Sequence, residues 1–294
     1  MNFRIKIFNK KFRISEILLR IFIFISAIIT CLAIVAIMIY IIANGVSKID
    51  FKFLTTGYSE SSGGDKGILP MIVNTFYVVV LSMLISFPIG IASAVYLTQY
   101  SKSNFFNKLI SFSSDILSAV PSIIFGIFGY AVFCSGFKLG TSILAGSIAM
   151  AISILPTILR TAEDALNNVP VSYREASIAL GASRLRTVFR VILPSALPEI
   201  VVAASLCIGK IVGESAILIY TLGMSYSMPK GAISHIFESG RTLTLHLYQV
   251  AKQANSEDSL AITFATALVL LIFIFVLNIM VNFILKKVFH RKQF

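Results

Sequence analysis

Long apolar runs constrain this chain more than any other feature, and they begin near Ile17, Ile68, Leu109, Thr141, Ser195 and Ser259. Each holds the ~20 residues that carry an α-helix across a hydrocarbon core of about 30 Å. In lipid, every backbone amide has to be satisfied within the protein, which leaves helices and closed barrels as the only spanning forms. The runs are continuously apolar and lack the alternation of lumen-facing and lipid-facing residues that a barrel strand needs. An all-α polytopic membrane protein with six transmembrane helices is the economical reading. Composition agrees, since 57% hydrophobic and 13% charged residues at a mean hydropathy of +0.89 do not describe a soluble domain.

The first run, residues 17–43, follows a basic segment (1–16) and resembles a secretory signal. It is far longer than the ~7 to 15 residues of a signal core, and no small-residue cleavage site follows it, so it reads as an anchor helix. A loop (44–67) with a Ser/Gly cluster separates it from a core of 68–287, and 288–294 form a tail. Lys and Arg set the expected orientation. Segments 1–20, 99–108, 160–194 and 286–294 together hold seventeen, while the loops 44–67, 134–141 and 222–259 hold seven. The positive-inside rule therefore puts both termini in the cytosol, in a cytoplasmic (inner) membrane. The net charge of +12 is topogenic on this reading and does not point to nucleic acid.

Several chemistries find no support. Cys31, Cys134 and Cys207 lie in or beside spans without C-x-x-C spacing and read as small buried hydrophobes. His235, His246 and His290 have no ligand partners at helical spacing, so no metal site is expected. No catalytic Ser/His/Asp set stands out, and no G-x-x-x-x-G-K-[ST] occurs to cradle nucleotide phosphates. Pro88, Pro121, Pro156 and Pro194 fall in or at the edges of spans, where they kink helices for gating or for ordinary packing. Residues 223–258 are too polar to cross; they read as external helical structure, either a docking surface or a passive cap.

Charges inside the apolar runs are the candidates for function. Lys210 lies about 24 Å along the fifth helix counted from Pro194, and on an unbroken helix Glu214 sits one turn away at i+4. A structural ion pair and a place in the substrate path are both open. Arg160 ends the fourth span ahead of Glu163 and Asp164; its fork of donors suits a tetrahedral oxyanion, or it snorkels to the interface. Asp115, in the third run, can pair with either cation.

Between the fourth and fifth runs lies REASIALGASRLRTVFRVILP, an Arg-bearing helical stretch from Arg174 to Pro194 whose apolar residues Ile178, Leu185, Val188 and Phe189 suit a partner groove. Within it, Glu175, Ala176 and Ser177, then three residues and Gly181, then nine residues and Val191-Ile192-Leu193-Pro194 resemble the EAA signature of ABC-importer permeases, E-A-A-x3-G-x9-I-x-L-P. Ser177 stands for the second Ala and Val191 for the Ile. The resemblance implies a type I ABC importer (MetI-like) permease fold. It also implies that Arg174, Glu175, Ala176, Ser177, Gly181 and Pro194 form the joint with an ATP-binding subunit, Gly181 allowing a turn and Pro194 setting the exit into the fifth span.

From Gly63 to about Lys287 the chain further resembles phosphate permeases of the PstA type, through N-T-F near Asn74, SFPIGIASAVYLTQY, SDILSAVPSIIFGIFGY, the stretch around Arg160 and GKIVGESA. Lys210 with Glu214 then matches that family's Arg-x-x-x-Glu, with lysine keeping the charge but not the bidentate fork. The resemblance implies an importer of inorganic phosphate in which this chain is a non-catalytic permease. Its partners would be an ATP-binding subunit dimer, a homologous sister permease, an extracytoplasmic phosphate-binding protein and membrane lipid. ATP and Mg would be bound by the ATPase and no cofactor by this chain. Importers of molybdate, sulfate or an amino acid share the fold. An ion-coupled secondary transporter using Lys210 and Glu214 is a more distant alternative.

Overall fold

A computed structural model describes residues 14–59, 66–101, 104–228, 231, 233–253 and 257–290. Most of the basic N-terminus, the centre of the Ser/Gly loop and the last four residues lie outside the described residues. Among the described residues twelve α-helices follow in order: α1 (Ile14–Gly45), α2 (Phe51–Thr55), α3 (Leu69–Val95), α4 (Asn104–Ala119), α5 (Ser122–Gly129), α6 (Ile143–Asn167), α7 (Val171–Ala179), α8 (Arg184–Thr187), α9 (Leu193–Gly213), α10 (Leu218–Thr221), α11 (Leu243–Lys252) and α12 (Glu257–His290). Wider π-helical turns at Tyr96–Tyr100 and Tyr130–Gly136 prolong α3 and α5, and a third at Val188–Ile192 joins α8 to α9. Among the described residues five helices are long and apolar enough to cross a membrane, and a bent pair makes a sixth if counted as one span.

Helix α6 is the centre of the bundle, with 67% of its most apolar window buried. It packs on α3 closely enough that a Cβ at Gly90 would lie 2.6 Å from Ile158 Cγ2. Ser82 Oγ donates to the Ser147 carbonyl across the same contact at 3.1 Å. Small residues permit this approach where lipid supplies no hydrophobic drive between helices. Val78, Val79, Ile154, Ile158, Ile211 and Leu218 fill the core between α3, α6, α9 and α10. Helix α1, by contrast, is 0% buried over its most apolar window and meets α12 at its C-terminal end, where Tyr40 stacks edge-on to Phe264 at 5.3 Å. Cys31 is accordingly exposed, contrary to its reading as a buried residue, whereas Cys134 and Cys207 are buried.

Two spans differ from their sequence boundaries. The third is broken: the helical segments before and after Pro121 meet at 99°. Proline has no N–H to continue α4's ladder and disfavours helical geometry in Val120. The arm α4 is amphipathic, exposing Phe105, Leu109, Phe112 and Ile116 at helical spacing. The fifth span starts at Arg184 rather than Ser195 and runs to Gly213. Pro194 therefore lies within a continuous helix and does not mark its entry. The π turn makes this possible, because the Leu193 amide reaches back five residues to the Val188 carbonyl and the missing donor of Pro194 falls just after it.

Candidate functional site

The segment between α6 and α9 is a helix–turn–helix rather than one helix from Arg174 to Pro194. Gly181 has φ +82°, and around it the Gly181 amide donates to the Ile178 carbonyl at 2.9 Å and the Ala182 amide to the Ser177 carbonyl at 3.1 Å. These are the two bonds of a Schellman cap, and they close α7 on a residue without a Cβ. Ser183 then caps α8 by accepting from the Arg186 amide. Ser177 Oγ and Thr187 Oγ1 lie 2.9 Å apart and tie the two helices together.

This hairpin projects from the bundle. Glu175, Ala176, Ile178, Leu180, Leu185 and Phe189 are exposed, while Val188 is buried beneath them. Arg174 is half-buried and lines a small cavity behind α7. Glu175 and Arg174 therefore point to different surroundings. Arg184 anchors the hairpin to the end of the second span: its Nη2 donates to the Gln99 carbonyl and its guanidinium sits over the Tyr100 ring at 5.3 Å. Because α8 runs straight into α9, a push on the hairpin reaches the second and fifth spans together.

The charged candidates are distributed differently from the sequence expectation. Arg160 Nη2 donates to Asp115 Oδ1 at 2.6 Å and to the Ser111 carbonyl at 3.1 Å, and Nη1 lies 3.7 Å from Glu163 Oε2. Arg160 thus holds the bent arm α4 against α6. Lys210 and Glu214 do not face each other across one turn. Helix α9 ends at Gly213, Glu214 is extended at φ −80° and ψ 127°, and its Oε1 accepts from the Ala216 amide at 2.9 Å. Lys210 lies in the last turn of α9, where a cation is favoured by the carbonyl end of the helix. Among the described residues no ion pair joins Lys210 to Glu214 or either residue to Arg160. Ser195, Glu199, Val202, Leu206, Lys210 and Gly213 form one uncovered face along the fifth span. A Cβ at Gly209 or Gly213 would meet nothing within 4 Å.

At the opposite end of the bundle the structure assembles a buried polar cluster that sequence reading missed. His235 Nε2 lies 2.6 Å from Asn74 Oδ1 and its Nδ1 3.1 Å from Glu238 Oε2, while Asn74 Nδ2 donates to the Arg241 carbonyl at 3.3 Å. Thr75 Oγ1 accepts from the Leu243 amide at 2.9 Å. The bonds from Asn74 and Thr75 fasten the polar segment of 223–258 onto α3 across more than 160 residues of chain, so no local pattern announces them. His246 on α11 is buried with Tyr58 edge-on at 4.6 Å, and burial, reinforced by Arg241, pushes its pKa down to about 3.

Comparison with known proteins agrees with the hairpin. The family described as binding-protein-dependent transport system inner membrane component matches residues 86–290. The probable ABC transporter permease protein YqgI of Bacillus subtilis is 36% identical over 263 residues, covering 85% of this chain and 89% of that one. The phosphate transport system permease protein PstA of Pasteurella multocida is 30% identical over 249 residues, covering 83% and 84%. A PstA homolog of Mycoplasma pneumoniae is 30% identical over 290 residues, and this chain spans 42% of its length. Among solved structures, a bacterial ABC transporter involved in alginate import superposes with a TM-score of 0.63 at 18% identity, covering 93% and 96% of the two chains. The MetNI methionine ABC transporter gives 0.54 at 22%, covering 78% and 95%. A projecting hairpin on a MetI-like bundle, matched in sequence across the bundle as well as the hairpin, makes this chain an ABC importer permease subunit that belongs to the binding-protein-dependent transport system inner membrane component family.

Proposed function

We propose that this permease carries inorganic phosphate through a cytoplasmic membrane in an ATP-driven importer, with both termini and the hairpin of 171–187 in the cytosol. The observation that carries the reading is the hairpin itself: a Schellman-capped helix exposing Glu175 and Ala176 outside the bundle while Arg184 and α8 tie it to two spans. An ATP-binding subunit gripping α7 moves the ends of α3 and α9 as one lever. Two such subunits, which bind ATP and Mg themselves, close on one another. This chain binds no cofactor and hydrolyses nothing. The uncovered face of α9 fits a homologous sister permease across a shared path, and the segment of 223–258 fits an extracytoplasmic phosphate-binding protein.

Phosphate as cargo is supported by the PstA relatives and by cations on the spans, Arg160 and Lys210. Arg160 offers a forked donor set once it leaves Asp115, and Lys210 offers a point charge at the break in α9. The test is uptake of radiolabelled phosphate by vesicles holding the full complex. Uptake is expected to require ATP and to persist when the proton gradient is collapsed. Competition by sulfate or molybdate as strong as by unlabelled phosphate would reassign the cargo, and loss of uptake with the gradient would favour a secondary transporter.

A further inference from the structure

The uncovered face of α9 carries opposite charges toward its two ends. Lys210 lies in the last turn and Glu199 in the second, and both are exposed. Eleven residues of α-helix separate them, which is about 17 Å along the axis and within about 20° of the same bearing. Val202 and Leu206, exposed at 58% and 65%, stand between them on that face. A path along this face therefore runs from a cation, across a short apolar stretch, to an anion.

Asn168, the residue that closes α6, donates from Nδ2 to Glu199 Oε2 at 3.0 Å. Both residues are exposed and the amide is neutral, so the bond orients the carboxylate without cancelling its charge. Among the described residues no lysine or arginine forms an ion pair with Glu199. Glu199 thus stands level with the end of the fourth span, where Asn168 leads within three residues into α7. For a travelling anion the two charges act oppositely. Lys210 attracts it, whereas a doubly charged oxyanion about 6 Å from the Glu199 carboxylate, in water-like surroundings, is disfavoured about tenfold.

We propose that Glu199 sets a low affinity for phosphate at the cytosolic mouth of the path, so that imported anion leaves and does not reoccupy the wall behind it. The role rests on the cytosolic placement, the phosphate cargo and the reading of the α9 face as a wall of the path argued above. Asn168 acts through Glu199, as the residue that positions its carboxylate.

The test is inhibition of labelled-phosphate uptake by phosphate preloaded inside vesicles that hold the full complex. Glu199→Gln keeps an oxygen for the Asn168 amide and removes only the charge. The internal phosphate that halves uptake should fall about tenfold in this variant, while the external phosphate that half-saturates uptake stays as in the parent. Glu199→Ala, a second neutral replacement, should shift internal inhibition the same way, and Glu199→Asp, which keeps the charge, should stay near the parent. Asn168→Ala, which removes the bond and leaves the charge, should shift it less than Glu199→Gln does. Unchanged internal inhibition in both neutral variants would overturn the role, as would Asn168→Ala acting as strongly as Glu199→Gln, the order expected of a merely structural bond. Lys210→Gln on the same preparation separates the layers of the argument. If it lowers uptake while the Glu199 variants change nothing, only the role of Glu199 falls. If none of them alters transport, the α9 face is not a wall of the path, and if the parent takes up no phosphate, the cargo fails and this role with it.

Discussion

Arg160 on α6 and Asp115 on α4 are joined at 2.6 Å, and this pair pins the arm of a span bent by 99° against the central helix. Both side chains are substantially exposed, at 38% and 67%, so solvent screens their attraction and the pair contributes at most about 1 kcal/mol to stability. Arg160→Gln is expected to reduce phosphate uptake by at least about tenfold, equivalent to roughly 1.4 kcal/mol in the barrier, while the complex still assembles. Asp115→Asn should cost uptake less. Vesicle uptake alongside size-exclusion recovery measures both, and equal loss of assembly in the two variants would make the pair structural.

Glu175 stands on the outer side of α7, exposed and free of intramolecular partners among the described residues. Reversal to Lys should leave the melting of the permease within about 0.5 kcal/mol of the parent and uncouple ATP hydrolysis from uptake. The ratio of phosphate imported to ATP consumed is the readout. An unchanged ratio would remove Glu175 from the joint.

Lys210 and Glu214 are independent in this fold, since Glu214 is spent on the Ala216 amide. Lys210→Gln should depress uptake more than assembly. In a double-mutant cycle of Lys210→Gln and Glu214→Gln, the stability effects should add to within about 0.5 kcal/mol. A coupling energy well above that would restore the ion pair expected from their spacing.

Gly181 adopts φ +82° with open space around it, so a substitution there is limited by backbone strain and not by crowding. Gly181→Val is expected to destabilise the hairpin by about 1 kcal/mol or more, and Gly181→Asn, which tolerates this region, by less. Exchange rates across 171–187 would report the order, and equal effects would contradict the capping role.

His246 makes stability depend on pH. Its pKa is pushed from 6.5 in the unfolded chain down to about 3 in the fold, so the unfolded state binds the extra proton between those values. The His246 contribution is complete above pH 6.5 and is lost as pH falls toward 3, at up to about 1.36 kcal/mol per pH unit. His246→Phe, which keeps the edge-on contact with Tyr58, should flatten the melting profile over that window. A profile with the same slope would place the titration elsewhere.

The break in α9 explains why one part of the site was legible and another was not. The spacing of Glu175, Gly181 and Pro194 reports a local device: a glycine that needs positive φ and a cap that closes within six residues need nothing from the rest of the chain. Lys210 and Glu214 looked like a pair because i and i+4 meet on an intact helix. Whether the helix is intact depends on distant packing, for Gly126 abuts Ala216 and Ile217, and the Ser142 amide bonds the Thr221 carbonyl. Those contacts hold 214–222 in their own path.

Hydropathy alone determined that the chain is a helical membrane protein, because transfer of each run into lipid is a property of about 20 consecutive residues. Signature spacing alone marked the segment that folds as the projecting hairpin. Only the tertiary structure decided what each charge meets: Arg160 with Asp115, Arg184 with Gln99 and Tyr100, His235 with Asn74, and Arg174 turned toward a cavity while Glu175 faces out. Partners separated by tens to more than a hundred residues are chosen by helix packing, and that packing is set by close approaches such as Gly90 on Ile158 that no local window contains.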